Sequence, residues 1–243
     1  MTSEREAILT DDIKAKLKSV STATITSQLQ RRGFQNCFLN GLKALNEGQS
    51  MVGYAHTLRY VPARPDLAGI LGTNAQRDAA ESMAEDEVLI IEARGEAHAG
   101  TIGDIFAMRV MQRGGVGVIT DGALRDTPAI KAMGMAVYHQ SSNAAVLGRL
   151  HSALAHQVPI ACAGATVLPG DILVGDEEGV VVIPAAMLEE ITEASVKMEI
   201  VEEFAVERVA QGASTIGYFP LADENRPEFE AWLAAREAIG QGS

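Results

Sequence analysis

Aromatic side chains are scarce, making up 5% of the 243 residues with Trp232 the single tryptophan. The core must therefore be built from Ala, Val, Leu and Ile. Basic residues are also in the minority, 20 Lys plus Arg against 32 Asp plus Glu, which leaves a net charge of −12. Non-specific binding to nucleic acid or to an anionic membrane needs a basic patch, so neither is expected as a partner. A small anionic substrate stays compatible with this balance if one or two arginines are focused in a pocket. Cysteine is nearly absent: Cys37 and Cys162 lie far apart and form no CxxC pair, which argues against a disulfide framework. No uncharged apolar run reaches the roughly 18 residues of a membrane helix. The opening MTSEREAILTDDIKAKLKSV carries charges throughout and has no apolar signal-peptide core. A cytoplasmic protein is expected.

Several common sites are missing too. There is no GxGxxG after a strand, no GxxxxGK(S/T), no HExxH and no GxSxG, so dinucleotide enzymes, P-loop ATPases, zinc proteases and α/β-hydrolases lose support. The five histidines show no ligand spacing. His151 and His156, five apart, would lie on different faces of a helix. His98 is the one to watch, because it sits in the Gly-rich loop GEAHAGTIGD.

What is present is 47% apolar residues, enough for a substantial core. Residues 11–32 read as two helical pieces, with Ser21 as an N-cap and Gly33 at C′. A half-buried strand is expected at 50–61, a helix around 75–83, and a buried strand at 87–92. A helix at 105–113, a buried strand at 116–119, a turn at Asp121-Gly122, a helix capped by Thr127 with Pro128 at N1, and a strand from Met135 follow. This alternation is the signature of parallel βαβ units. Short β runs at 165–168, 171–174 and 179–183, separated by hairpin-like turns, make the last part of the sheet antiparallel or mixed. A long amphipathic helix runs from Ala185 to about Ala210. The expected organisation is one α/β domain over 1–210, with an N-terminal helical segment, and an extension over 211–243 whose Pro220 and Arg226 suit a lid or a subunit contact.

Chemistry concentrates in GDIFAMRVMQRGGVGVITDGALRD, residues 103–126. Gly103-Asp104 opens a helix and Arg125-Asp126 follows the end of the next strand, so both belong at the sheet edge where ligands bind in α/β proteins. The amides after Gly103 suit an anion, Arg125 suits a bidentate grip on a carboxylate, and Asp104 and Asp126 are hard oxygen donors of the kind Mg²⁺ takes with waters. Together these groups suit binding and polarising a small 2-oxo acid. On spacing alone, the same residues also fit plain helix caps and a local Asp–Arg pair.

The spacing Gly103-Asp104, twenty residues, Arg125-Asp126 resembles the signature of the RraA-like family. That family includes class II 4-hydroxy-4-methyl-2-oxoglutarate / 4-carboxy-4-hydroxy-2-oxoadipate aldolases and the regulator of ribonuclease E activity. STATITSQL, MVGYAHTLRYVPAR, RGGVGVITDGALRD and VLPGDILVGDEEGVVVIP, spanning about Ser21 to Pro184, extend the resemblance. It implies a swivelling β/β/α domain with a central mixed sheet and flanking helices, assembled as homotrimers or hexamers. For the aldolases it implies Mg²⁺ (or Mn²⁺) at Asp126 and pyruvate held by Arg125 with the amides of Gly103, Asp104, Ile105 and Phe106. It also implies that Asp104 orients water or transfers a proton. The resulting expectation is a metal-dependent lyase that cleaves or decarboxylates a small 2-oxo (di)carboxylic acid and releases pyruvate. The sequence departs from the aldolase signature at Ala129, where a carboxylate is usual. Two alternatives follow: a dehydratase or hydrolase of a sugar-derived 2-oxo acid, and a non-catalytic regulator that docks its acidic surface on a basic partner.

Overall fold

The structure, a computed structural model, describes residues 8–67, 70 and 74–240. It begins with two short helices, α1 (Asp11–Lys18) and α2 (Thr22–Arg31), each started by a hydroxyl. Thr10 accepts the N–H of Ile13 at 3.3 Å and Ser21 that of Thr24 at 3.1 Å. Gly33, at φ +89°, then takes the left-handed turn that an L side chain rarely adopts.

The strands are β1 (Lys43–Ala44), β2 (Met51–Pro62), β3 (Glu87–Glu92), β4 (Gly100–Ile102), β5 (Gly117–Leu124), β6 (Ala136–Ser142), β7 (His151–His156), β8 (Ile160–Cys162), β9 (Ala165–Val167), β10 (Ile172–Gly175) and β11 (Val180–Ile183). The main sheet runs β1-β6-β5-β3-β2-β10-β11, with β4 added beside β5 and β7 beside β2. Its centre, β2, β3, β5 and β6, is parallel, and its flanks are antiparallel. The parallel strands read as continuous apolar runs because both faces are covered. In β3, Leu89 and Ile91 pack with Ala79, Met83, Ala107, Val110 and Ile130 of the helix layer formed by α3 (Ala75–Ser82), α4 (Asp104–Gln112) and α5 (Thr127–Ala132). Val88 and Ile90 face the other way, with Leu39, Val180, Val182 and the β8–β9 ribbon. This is the mixed sheet with flanking helices expected from the sequence.

Five local expectations are corrected. Asp121-Gly122 is not a turn: β5 runs through it, and only its register with β6 shifts between Thr120 and Ala123. The Asp121 carboxylate accepts the N–H groups of Ala93, Gly95 and Ala163 at 2.5, 3.2 and 3.4 Å, and burial pushes its pKa upward. The N-cap of α5 is Asp126 rather than Thr127. His151 and His156 lie at the ends of a strand, β7, not on a helix. The Gly-rich loop contains β4, whose three residues are all buried. Of the two hairpin-like turns, only the one between β10 and β11 joins paired strands, closed by Asp176 N–H donating to Gly179 O at 3.0 Å.

The chain divides into two compact units, Met1–Thr192 and Glu193–Ser243, and the boundary falls inside the long helix α6 (Leu188–Ala210). The second unit holds most of α6 and all of α7 (Arg226–Gly240). Here the scarce aromatics are concentrated. Phe204 is fully buried, with Tyr218, Phe229 and Trp232 ring centroids 5.8, 5.4 and 5.5 Å away. The Arg208 guanidinium lies 4.8 Å from the Phe204 ring centroid and bonds Glu228 at 2.6 Å. A unit built on two helices has few positions to bury, and aromatic side chains at them bury the most apolar area.

Candidate active site

The parallel strands deliver their C-terminal ends to one edge of the sheet, where the chain leaves β4 into α4 and β5 into α5. There a cleft of about 440 Å³ is lined by Gly103, Asp104, Ile105, Phe106, Arg125 and Asp126, with Gly100, Ile102, Gln76, Arg77 and residues 146–148 completing it. The structure thus brings all six of the residues singled out in the sequence into one concavity, at the position where open α/β sheets bind ligands.

Backbone constraints fix the two charged pairs. The Arg125 N–H donates to Ile102 O at 3.0 Å, tying the end of β5 to the end of β4. Gly100 N–H donates to Ala145 O at 2.9 Å, and Asn143 holds the same loop through Ala97 O (3.1 Å) and Ala145 N–H (2.9 Å). A Cβ on Gly100 would meet Arg125 Cβ at 2.6 Å and two carbonyl oxygens at 3.2 and 3.3 Å, so only glycine lets the strands close here. Asp126 has left-handed dihedrals, φ 55° and ψ 35°, and its side chain makes no capping bond. Such backbone conformations cost of order 1 kcal/mol or more in a non-glycine residue and cluster at functional sites. The conformation sets Asp126 Oδ1 3.7 Å from Arg125 Nε, and Oδ2 where a Cβ on Gly103 would lie only 2.7 Å away. Both side chains remain partly open to solvent, 42% for Arg125 and 37% for Asp126.

Asp104 stands at the first position of α4, and its Oδ1 accepts the N–H of Ile105 at 2.8 Å. One of the amides suited to an anion is therefore turned to Asp104 itself. The donors available to a cation are two carboxylates, with room for water. Among the described residues no three His, Cys, Asp or Glu side chains converge. That donor set fits a hard divalent ion that keeps most of its water shell, the habit of Mg²⁺, and does not fit a closed Zn²⁺ site.

His98 lies outside the lining; it is exposed and its ring pairs with Glu96 at 2.7 Å. Ala129, exposed on the first turn of α5, is likewise not part of the wall. Sequence reasoning missed Gln76, Arg77, Gly100 and residues 146–148. The helix carrying Gln76 and Arg77 was legible, but its approach to β4 is a long-range contact with no local signal.

The glycine that faces Asp126 gives a direct test. If a divalent ion sits at Asp126, Gly103→Ala should displace the carboxylate and weaken Mn²⁺ binding by about 10- to 100-fold, the usual effect of disturbing a ligand's support. Titration calorimetry on folded protein checks it; unchanged affinity would place the ion elsewhere.

Comparison with known proteins bears on the family and the fold. The RraA-like family Aldolase/RraA matches residues 22–182. A provisionally named 4-hydroxy-4-methyl-2-oxoglutarate aldolase of Halalkalibacterium halodurans is 28% identical over 197 residues, 79% of this chain and 86% of that one. Protein DlpA of Legionella pneumophila is 26% identical over 82% of this chain, which spans about a third (32%) of DlpA. Among solved structures, Streptomyces coelicolor RraAS2, described as an unusual member of the RNase ES inhibitor RraA family, superposes with a TM-score of 0.75 at 30% identity, covering 81% of this chain and 96% of its own. No helix among the described residues is long and apolar enough to cross a membrane. With the family match spanning most of the first unit and the fold shared with RraAS2, this chain belongs to the RraA-like (Aldolase/RraA) family.

Proposed function

We propose that the chain is a divalent-metal-dependent lyase that cleaves or decarboxylates a small 2-oxo (di)carboxylic acid and releases pyruvate. The observation that carries this reading is the juxtaposition at the end of β5, where a guanidinium and a strained carboxylate stand side by side and a glycine leaves space for the carboxylate. Asp126, with Asp104 acting through water, would hold Mg²⁺ or Mn²⁺. When bound, the ion supplies Lewis acidity to the substrate's 2-oxo oxygen. Arg125 grips the adjoining carboxylate through its planar fork and faces the negative charge that grows on the 2-oxo oxygen as the C–C bond breaks. The start of α4 orients the same carboxylate with backbone amides. Asp104, at the first position of α4, would pass a proton between water and the product's methyl carbon. Assembly as a homotrimer or a stacked hexamer is part of the proposal, and light scattering checks it.

Pyruvate release coupled to lactate dehydrogenase tests the activity, with 4-hydroxy-4-methyl-2-oxoglutarate, 4-carboxy-4-hydroxy-2-oxoadipate and oxaloacetate as substrates. Turnover with Mg²⁺ or Mn²⁺ that EDTA removes is the expected result. Absence of turnover on all three would overturn the pyruvate lyase and lead to sugar-derived 2-oxo acids.

A second reading, a non-catalytic regulator, has its own support. RraAS2 is described as belonging to an inhibitor family, and the net charge of −12 suits a basic partner segment.

A further inference from the structure

The cleft contains a second cation that the proposed reaction does not use. Four charged side chains line it: Arg77, Asp104, Arg125 and Asp126. Arg125 stands beside Asp126, and Asp104 bonds the Ile105 amide. Arg77 pairs with no carboxylate among the described residues. Arg109, by contrast, is engaged with Glu81 of the helix that carries Arg77, at 2.5 Å. Arg77 is exposed and lines the cleft, so its guanidinium is free to meet an anion whose other end is on Arg125.

The backbone under Arg77 is firmly held. Asn74 caps α3 by accepting the Arg77 N–H at 3.3 Å. The adjacent Gln76 is buried, and its amide donates to Thr101 O at 2.7 Å; the buried Tyr60 hydroxyl donates to the same oxygen at 2.9 Å. The Thr101 hydroxyl in turn donates to Ala123 O on β5 at 2.9 Å. A chain of buried hydrogen bonds thus joins α3, β2, β4 and β5, and it fixes the origin of the Arg77 side chain relative to Gly103 and Arg125. Buried networks of this kind, fully satisfied, are rigid. Flexible only in its outer bonds, Arg77 is placed to meet the far end of a molecule whose near end is on Arg125.

We infer that Arg77 is a specificity-determining residue that receives a second carboxylate of the substrate. The inference rests on the reading of this cleft as the 2-oxo acid site. It makes the preferred ligand a 2-oxo acid with a carboxylate at each end rather than a monocarboxylate, because a planar guanidinium matches a carboxylate in two parallel hydrogen bonds.

Binding rather than turnover separates this from the lyase reading. Calorimetric titration of the full chain with pyruvate and with 2-oxoglutarate, both in Mg²⁺, compares one carboxylate with two. Wild type should bind 2-oxoglutarate the more tightly. Arg77→Ala should weaken 2-oxoglutarate by about tenfold, the worth of one charge-assisted contact in a partly open site, and pyruvate by less than about twofold. Arg77→Lys should recover part of the loss, since the charge is kept and the fork is not. Equal losses on both ligands, no loss on either, or no measurable 2-oxoglutarate binding to wild type would each overturn the assignment. Selective loss in a protein that never releases pyruvate would leave Arg77 in its role and remove the lyase.

Discussion

Arg125→Ala is expected to lower kcat/KM for pyruvate release by about 10³-fold, the scale on which a single donor to developing charge acts in a preorganised site. The size of the effect follows from what the guanidinium is asked to do. On the proposed reading it would bind the carboxylate in the ground state and stabilise charge on the neighbouring oxygen as the bond breaks, so both KM and kcat should suffer. Arg125→Lys separates the two: a compact ammonium keeps attraction for the carboxylate but cannot span two oxygens, so kcat should stay depressed while KM partly recovers. The main chain of residue 125 is held through its N–H to Ile102 O, a bond neither substitution touches, so circular dichroism should show an unchanged fold. A variant that retains more than about a tenth of wild-type kcat/KM would remove Arg125 from the chemistry.

Phe204→Ala should cost the second unit about 3–5 kcal/mol, the range for emptying a buried aromatic site. Phe204 is fully buried and is the ring around which Tyr218, Phe229 and Trp232 are arranged. Its loss also removes the face over which the Arg208 guanidinium lies. The single tryptophan makes the experiment selective: Trp232 fluorescence reports on this cluster alone, and far-ultraviolet dichroism follows the whole chain. The fluorescence midpoint in urea should fall sharply in the variant, and the dichroism midpoint of the larger unit much less. A shift worth under about 1 kcal/mol would show that the cluster collapses around the gap rather than depending on the ring.

Much of this site could be read before the fold was known. Arg125-Asp126 follows a buried apolar run and Gly103-Asp104 a Gly-rich loop, each precedes a helical run, and strand ends of parallel units share an edge. Local signals therefore sufficed to bring them together. The roles assigned to them, an ion at Asp126 and pyruvate at Arg125, came from resemblance and not from spacing. Asp121-Gly122 misled because Asp-Gly is ordinary turn chemistry. Here the aspartate is a buried acceptor for three amides, and the glycine is demanded by packing: a Cβ there would meet Ala93 and Thr101 at 2.7 Å. Strand β7 escaped because HSALAH is only half-buried beyond its first residue and carries no strong strand former. Arg77 and Gly100 matter only through contacts made across the fold, which no single window of sequence contains.

The pairing of β2 has a consequence for how the protein is made. This strand hydrogen-bonds to β3, its near neighbour in sequence, but also to β7 and β10, with Leu58 opposite His156 and Val52 opposite Val174. At about 5–20 residues added per second, the ribosome delivers β10 several seconds or more after β2 has emerged. Throughout that interval an apolar twelve-residue strand has an edge with open amides and carbonyls, the geometry that recruits strands from other chains. Nascent chains halted before Gly175 should accordingly be the aggregation-prone species and the ones held by chaperones, with release timed to the arrival of the β10–β11 hairpin.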